Sequence, residues 1–126
     1  MKTAAWVLQI LLALMFAFTG STKLMTSRAD LVQDPMMGWA NDFTESQIRL
    51  IGTAEVAGAV GLIVPAATGI LPALTTVAAG GLAALMGGAT ATHIRRGEPF
   101  IVPLVLGMLA LAIVVLRMRR GRLQPA

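Results

Sequence analysis

The sequence predicts an all-α fold, a bundle of four transmembrane helices with a short interfacial segment between helices one and two. Three observations predict it. The 126-residue chain is 56% hydrophobic and only 13% charged, with a mean hydropathy of +0.78, outside the usual range for a soluble domain. Four apolar stretches of roughly 17 to 24 residues are each long enough for a hydrocarbon layer of ~30 Å. Finally, the net charge of +4 owes much to the C-terminal run RMRRGR, which follows a hydrophobic helix. That position predicts a membrane anchor and no nucleic-acid partner.

A single integral membrane domain accounts for residues 1–126, with helices at about 4–24, 45–64, 71–94 and 100–116 and a basic tail at 117–126. There is no cysteine and one histidine, so disulfides, thiol chemistry and a self-made metal or haem site are excluded. No intrinsic cofactor is expected, and redox chemistry would need a borrowed one.

Helix one begins after Lys2 and has the look of a secretory signal peptide. Three further apolar stretches follow it and no A-x-A cleavage site is well formed, so it is expected to remain. Residues 25–47 mix Arg28, Asp30, Asp34, Asp42 and Glu45 with Met36, Met37, Trp39 and Phe43, which predicts a segment lying on the membrane surface. Trp39 and Phe43, four apart, would share a helical face. With Trp6 and Phe100 they are the expected interface anchors.

Helix two opens with Glu45 and Arg49 in the favourable i, i+4 order for a surface ion pair. Pro65 is expected to end it, and the link PAATGILP, with turn formers Gly69 and Pro72, predicts a tight antiparallel hairpin. Helix three carries small residues on more than one face, among them Gly80, Gly81, Gly87 and Gly88. Close backbone contact does much of the assembling in lipid, so helix three is expected at the centre, against Gly52, Gly58 and Gly61 of helix two. Helix four is bulky and aliphatic, with Pro103 in its first turn, and is expected to face lipid more than the others.

Four helices place both termini on one side of the membrane. The cluster Arg117, Arg119, Arg120 and Arg122 assigns that side to the cytoplasm, although Lys2 and these four balance Lys23, Arg28, Arg49, Arg95 and Arg96 on the other side. The expected location is a bacterial inner membrane, crossed several times.

Within the apolar stretches Glu55 most needs a partner, because a carboxylate in hydrocarbon costs several kcal/mol unless paired, wetted or protonated. Arg49 lies six residues earlier, roughly 9 Å along the axis and some 240° around the wheel, so the partner must come from another helix. Alternating helix direction puts Lys23 at the end of helix one, Glu55 in helix two and His93 at the end of helix three in one leaflet. Arg95, Arg96, Glu98 and Arg49 form the expected rim. One reading is a pocket that relays protons or holds a polar headgroup; the other is a clamp that pins the helices without chemistry. Thr90 and Thr92 are expected to bond back to their own helix, and Gln9, near the opposite surface, is assigned only packing. No phosphate loop, nucleophile elbow, H-E-x-x-H or paired-carboxylate motif is present.

The order GSTK, then GTAEVAGAVGLIVPAATGILPALTTVAAGGLAALMGGATATHIRRGEP, resembles the DoxX-like family of small four-helix bacterial membrane proteins over about residues 8–115. Its most specific parts are E-x-x-G-x-x-G-L-x-x-P from Glu55 to Pro65 and A-x-H-x-x-x-G-E from Ala91. The family takes its name from a subunit of an archaeal quinone-linked enzyme, and members are associated with quinone-coupled sulfur oxidation or redox-stress assemblies. The resemblance implies a membrane component near quinone or another amphipathic small molecule, with Lys23, Glu55 and His93 matching the family's polar positions, and leaves catalysis open. The function expected is an accessory or redox-linked component that binds such a molecule. The alternatives are a structural subunit of a membrane complex or a small proton-coupled transporter component. Expected partners are the lipid bilayer and a second copy or another membrane subunit.

Overall fold

The computed structural model describes residues 2–123. It is all-helical among the described residues. The helices are α1 (Lys2–Met25), α2 (Arg28–Leu31), a 3-10 strap (Pro35–Asp42), α3 (Glu45–Thr68), α4 (Ala73–Arg95) and α5 (Ile101–Leu123). Helices α1, α3, α4 and α5 are the four predicted spans, and each is long and apolar enough to cross a membrane. The chain is thus a multi-pass membrane protein by length and composition.

The spans form a ring in which α1 packs on α3, α3 on α4 and α4 on α5, with a lighter contact between α5 and α1. Leu12 and Phe16, Leu62, Leu82 and Met86, and Leu106 and Ile113 meet in the core. The ring corrects the expected central place of helix three, because α3 and α4 each have two close neighbours. The contact expected between helix three and the glycines of helix two is present, since a Cβ on Gly58 or Gly61 of α3 would fall 2.6 Å from Leu82 or 2.7 Å from Ala78 of α4. The glycines of α4 itself act differently. A Cβ on Gly80, Gly81, Gly87 or Gly88 of α4 would meet nothing, whereas one on Gly20 of α1 would fall 2.7 Å from the Gly52 carbonyl of α3. The closest backbone approach therefore joins helices one and two. As expected, α5 is largely lipid-facing, with Ile101, Val102, Met108 and Leu111 exposed, although its Leu106 and Ile113 point inward.

Pro65 does not end helix two, which runs on to Thr68 and stops at Gly69 in the left-handed conformation, φ 73°. A helical proline cannot donate to the carbonyl four residues back, here that of Gly61. The fully buried Thr75 hydroxyl of α4 supplies the missing donor at 2.9 Å. The neighbouring Leu62 carbonyl accepts from the Gln9 side-chain amide at 2.7 Å. Tertiary donors thus take over at the proline, so the link shrinks to residues 69–72. At the far end α5 extends through the arginines to Leu123, so most of the predicted tail is helical; its residues 124–126 lie outside the described residues.

The interfacial segment is a short α-helix followed by the strap, seated on a satellite cluster of Leu31, Ala40 and Ile48. Arg28 ties it down, its Nε donating to the Phe43 carbonyl at 2.6 Å and Nη2 to the Asn41 carbonyl at 3.2 Å. Thr44 and Gln47 form a reciprocal capping box that starts α3.

Candidate functional site

The strap covers the end of the bundle at which α1 finishes and α3 begins. Glu55 lies beneath it, 2% exposed, and its carboxylate meets the partner that helix direction nominates: Lys23 Nζ is 2.9 Å from Oε1 and 3.2 Å from Oε2. The Thr19 hydroxyl donates to Oε2 at 2.6 Å. Thr19 and Lys23 are one helical turn apart, so both converge on one acid from one face of α1. The convergence depends on Gly20 and Gly52. A Cβ at Gly52 would lie 2.9 Å from both the Gly20 carbonyl and Lys23 Cβ, so any larger residue there would push α1 away from Glu55.

Above the pair, Trp39 of the strap places its ring centroid 5.4 Å from Lys23 Nζ. The face of an indole attracts a cation, and Phe43 supports the ring edge-on at 6.0 Å. Trp39 and Phe43 touch although Phe43 is extended and lies past the end of the strap, so their contact does not come from a shared helical face; Trp39 also roofs the ion pair. Trp6 is half-buried on α1 and Phe100 is exposed before α5.

The second polar group lies where α4 turns into α5. Gly97, at φ 69°, reverses the chain so that the Glu98 amide donates to the His93 carbonyl at 2.9 Å. The Glu98 carboxylate then accepts from Arg96 Nε at 2.6 Å, while Arg96 Nη1 donates to Asp42 Oδ1 of the strap at 2.6 Å. The hydrogen bond to Glu98, reinforced by Asp42, raises the Arg96 guanidinium above its ordinary value, so this latch keeps its cation. Strap backbone rests on it: a Cβ at Gly38 would lie 3.1 Å from Glu98 Oε2.

His93 lies beside Glu98 and forms no ion pair with Glu55. Its Nδ1 is 3.6 Å from Glu98 Oε1, too far for a hydrogen bond, and no His93 nitrogen is within ion-pair distance of Glu55 among the described residues. Nδ1 is buried and has no hydrogen-bond partner. Of the expected rim, Arg96 and Glu98 form the latch. Arg49 is exposed and 3.7 Å from Glu45, the surface pair expected of it, and Arg95 is exposed. Thr90 and Thr92 bond back to the Met86 and Gly88 carbonyls at 2.8 and 2.9 Å.

Two residues escape sequence reasoning. Thr19 gives no signal, since a helical threonine ordinarily bonds to its own helix. Gln9 is fully buried and joins three helices, donating to the Leu62 carbonyl and accepting from Arg117 Nη1 of α5 at 3.0 Å. Its apolar neighbourhood was the only available hint. Among the described residues no cluster of His, Asp and Glu suits a metal ion.

A family model described as the DoxX-like family matches residues 7–115. Neither the curated proteins nor the solved structures contain a match.

Proposed function

Because the chain belongs to the DoxX-like family, we propose that it is an accessory or redox-linked membrane component that receives the polar head of a quinone or similar amphipathic molecule beneath the strap. The observation that carries this reading is His93 Nδ1, buried without a hydrogen bond, at the same end of the bundle as the desolvated Lys23–Glu55 pair. A buried unsatisfied nitrogen costs ~1–3 kcal/mol, and a ligand carbonyl accepting from its N–H would remove that cost. Lys23 offers a second donor, and Trp39 and Phe43 offer ring faces to a flat head. The lipid-like tail would leave between the helices into the bilayer. The quinone would be the borrowed redox group; the chain's own residues would bind and orient it, and Glu55 with Lys23 would hold a proton near its oxygens.

The chain has two tryptophans, so Trp6→Phe leaves Trp39 as the sole reporter. A short-chain quinone titrated into this variant in lipid nanodiscs is expected to quench Trp39 saturably, with Lys23→Met or His93→Gln weakening the midpoint about tenfold. Linear quenching, identical in all three proteins, would overturn the reading.

A second reading, a structural subunit without a small ligand, rests on the open glycines of α4, Gly80, Gly81, Gly87 and Gly88, against which another subunit's helix would close-pack. It predicts that Gly87→Leu changes the oligomeric state in lipid and leaves quinone quenching untouched. A proton-coupled transporter component would use Glu55 as its carrier, and finding the protein strictly monomeric in lipid would argue against that variant. We place the termini on the cytoplasmic side of a bacterial inner membrane, a reading supported by the density of arginine at the α5 end.

A further inference from the structure

All six acidic side chains, Asp30, Asp34, Asp42, Glu45, Glu55 and Glu98, lie toward the strap end. The opposite end carries Arg117, Arg119 and Arg120 on α5 with no acid among the described residues. Arg117 is distinct within this group. It is half-buried, and its Nη1 donates to the Oε1 of fully buried Gln9 at 3.0 Å. Gln9 is itself fixed by its amide, which donates to the Leu62 carbonyl at 2.7 Å, so its oxygen must face the arginine. One of the five guanidinium N–H groups is thereby used and the head is held in one orientation.

We infer that this end of the bundle binds the phosphate-bearing headgroup of an anionic membrane lipid, with Arg117 as the anion contact and Gln9 as the residue that holds it. Arg117 is sixteen residues into α5, about 24 Å from its start, near the edge of a hydrocarbon layer of ~30 Å. A partly desolvated guanidinium at that depth needs a counter-charge, and Arg119 and Arg120 only add to the positive potential. The anion native to that depth is a lipid phosphate, whose oxygens suit a guanidinium fork. Free phosphate would have to leave water to reach it.

The test is thermal unfolding of the purified full chain in neutral detergent, titrated with phosphatidylglycerol, phosphatidylcholine or inorganic phosphate. Phosphatidylglycerol is expected to raise Tm saturably, while the other two do not. Arg117→Gln should shift its midpoint about fivefold, and Arg119→Gln by clearly less. Equal stabilisation by phosphatidylcholine or by inorganic phosphate overturns the proposal, as does an Arg117→Gln midpoint equal to that of the unaltered protein. Should Arg117→Gln fail to fold, native mass spectrometry of the unaltered protein from mixed nanodiscs decides: preferential retention of phosphatidylglycerol supports the site, and equal retention of both lipids overturns it.

Discussion

Glu55 is the residue on which chemistry and packing meet. Its burial at 2% exposure with Lys23 at 2.9 Å and Thr19 at 2.6 Å makes each partner costly to remove alone. Lys23→Met leaves a buried carboxylate unpaired and should destabilise by roughly 3–5 kcal/mol, whereas Lys23→Met with Glu55→Met should recover most of that loss. Unfolding of the four proteins in mixed micelles measures the coupling, and additive losses would show that the pair does not act as a unit. This pair was legible in the sequence because a lone acid in an apolar stretch demands a cation and helix direction left few candidates. The nearest acid to His93 was less legible, for a reason just as local. Gly97 at φ 69° folds Glu98 back onto the end of α4, so the imidazole finds a neighbour five residues away instead of one on another helix. Gln9 was opaque because its first partner is a backbone carbonyl, which no residue pattern marks.

At the scale of the helix, Pro65 shows why a strong local signal can fail. The rule that proline stops a helix supposes that the freed carbonyl has nowhere to go, and here the Thr75 hydroxyl meets the Gly61 carbonyl at 2.9 Å. Thr75→Val should therefore cost roughly 1 kcal/mol. In a Pro65→Ala background, where the restored N–H can bond the same carbonyl, the cost should shrink; equal costs in both backgrounds would remove Thr75 from this role. Small residues carry a similar lesson. Their density pointed to helix three, but density does not say which glycines face a neighbour. Gly58 and Gly61 of α3 do face Leu82 and Ala78 of α4, but the closest approach of backbone to backbone falls at Gly20 and Gly52, where an added methyl would sit 2.7 and 2.9 Å from backbone oxygen. Gly52→Ala should accordingly separate α1 from α3, lower Tm and weaken the Lys23–Glu55 coupling, while Gly87→Ala in α4 should do neither.

The whole molecule is a ring of four spans with its acids at one end, under a strap held by Arg28, the Arg96–Asp42 pair and Trp39. The number of spans, and with it the common side of the termini, was legible from hydropathy alone. Which side that is was not, because lysines and arginines divide evenly between the ends and acids have little influence on orientation. The chain itself offers a direct measurement. It has no cysteine, so every introduced thiol is a single reporter. Met36 of the strap is 83% exposed, and Arg119 is exposed on α5. In intact cells a membrane-impermeant maleimide should label Met36→Cys and spare Arg119→Cys, with both labelled once the membrane is opened. The opposite pattern would put the strap in the cytoplasm. A quinone head bound beneath it would then exchange protons with that compartment, whereas the expected pattern has Glu55 and Lys23 facing the far side of the membrane.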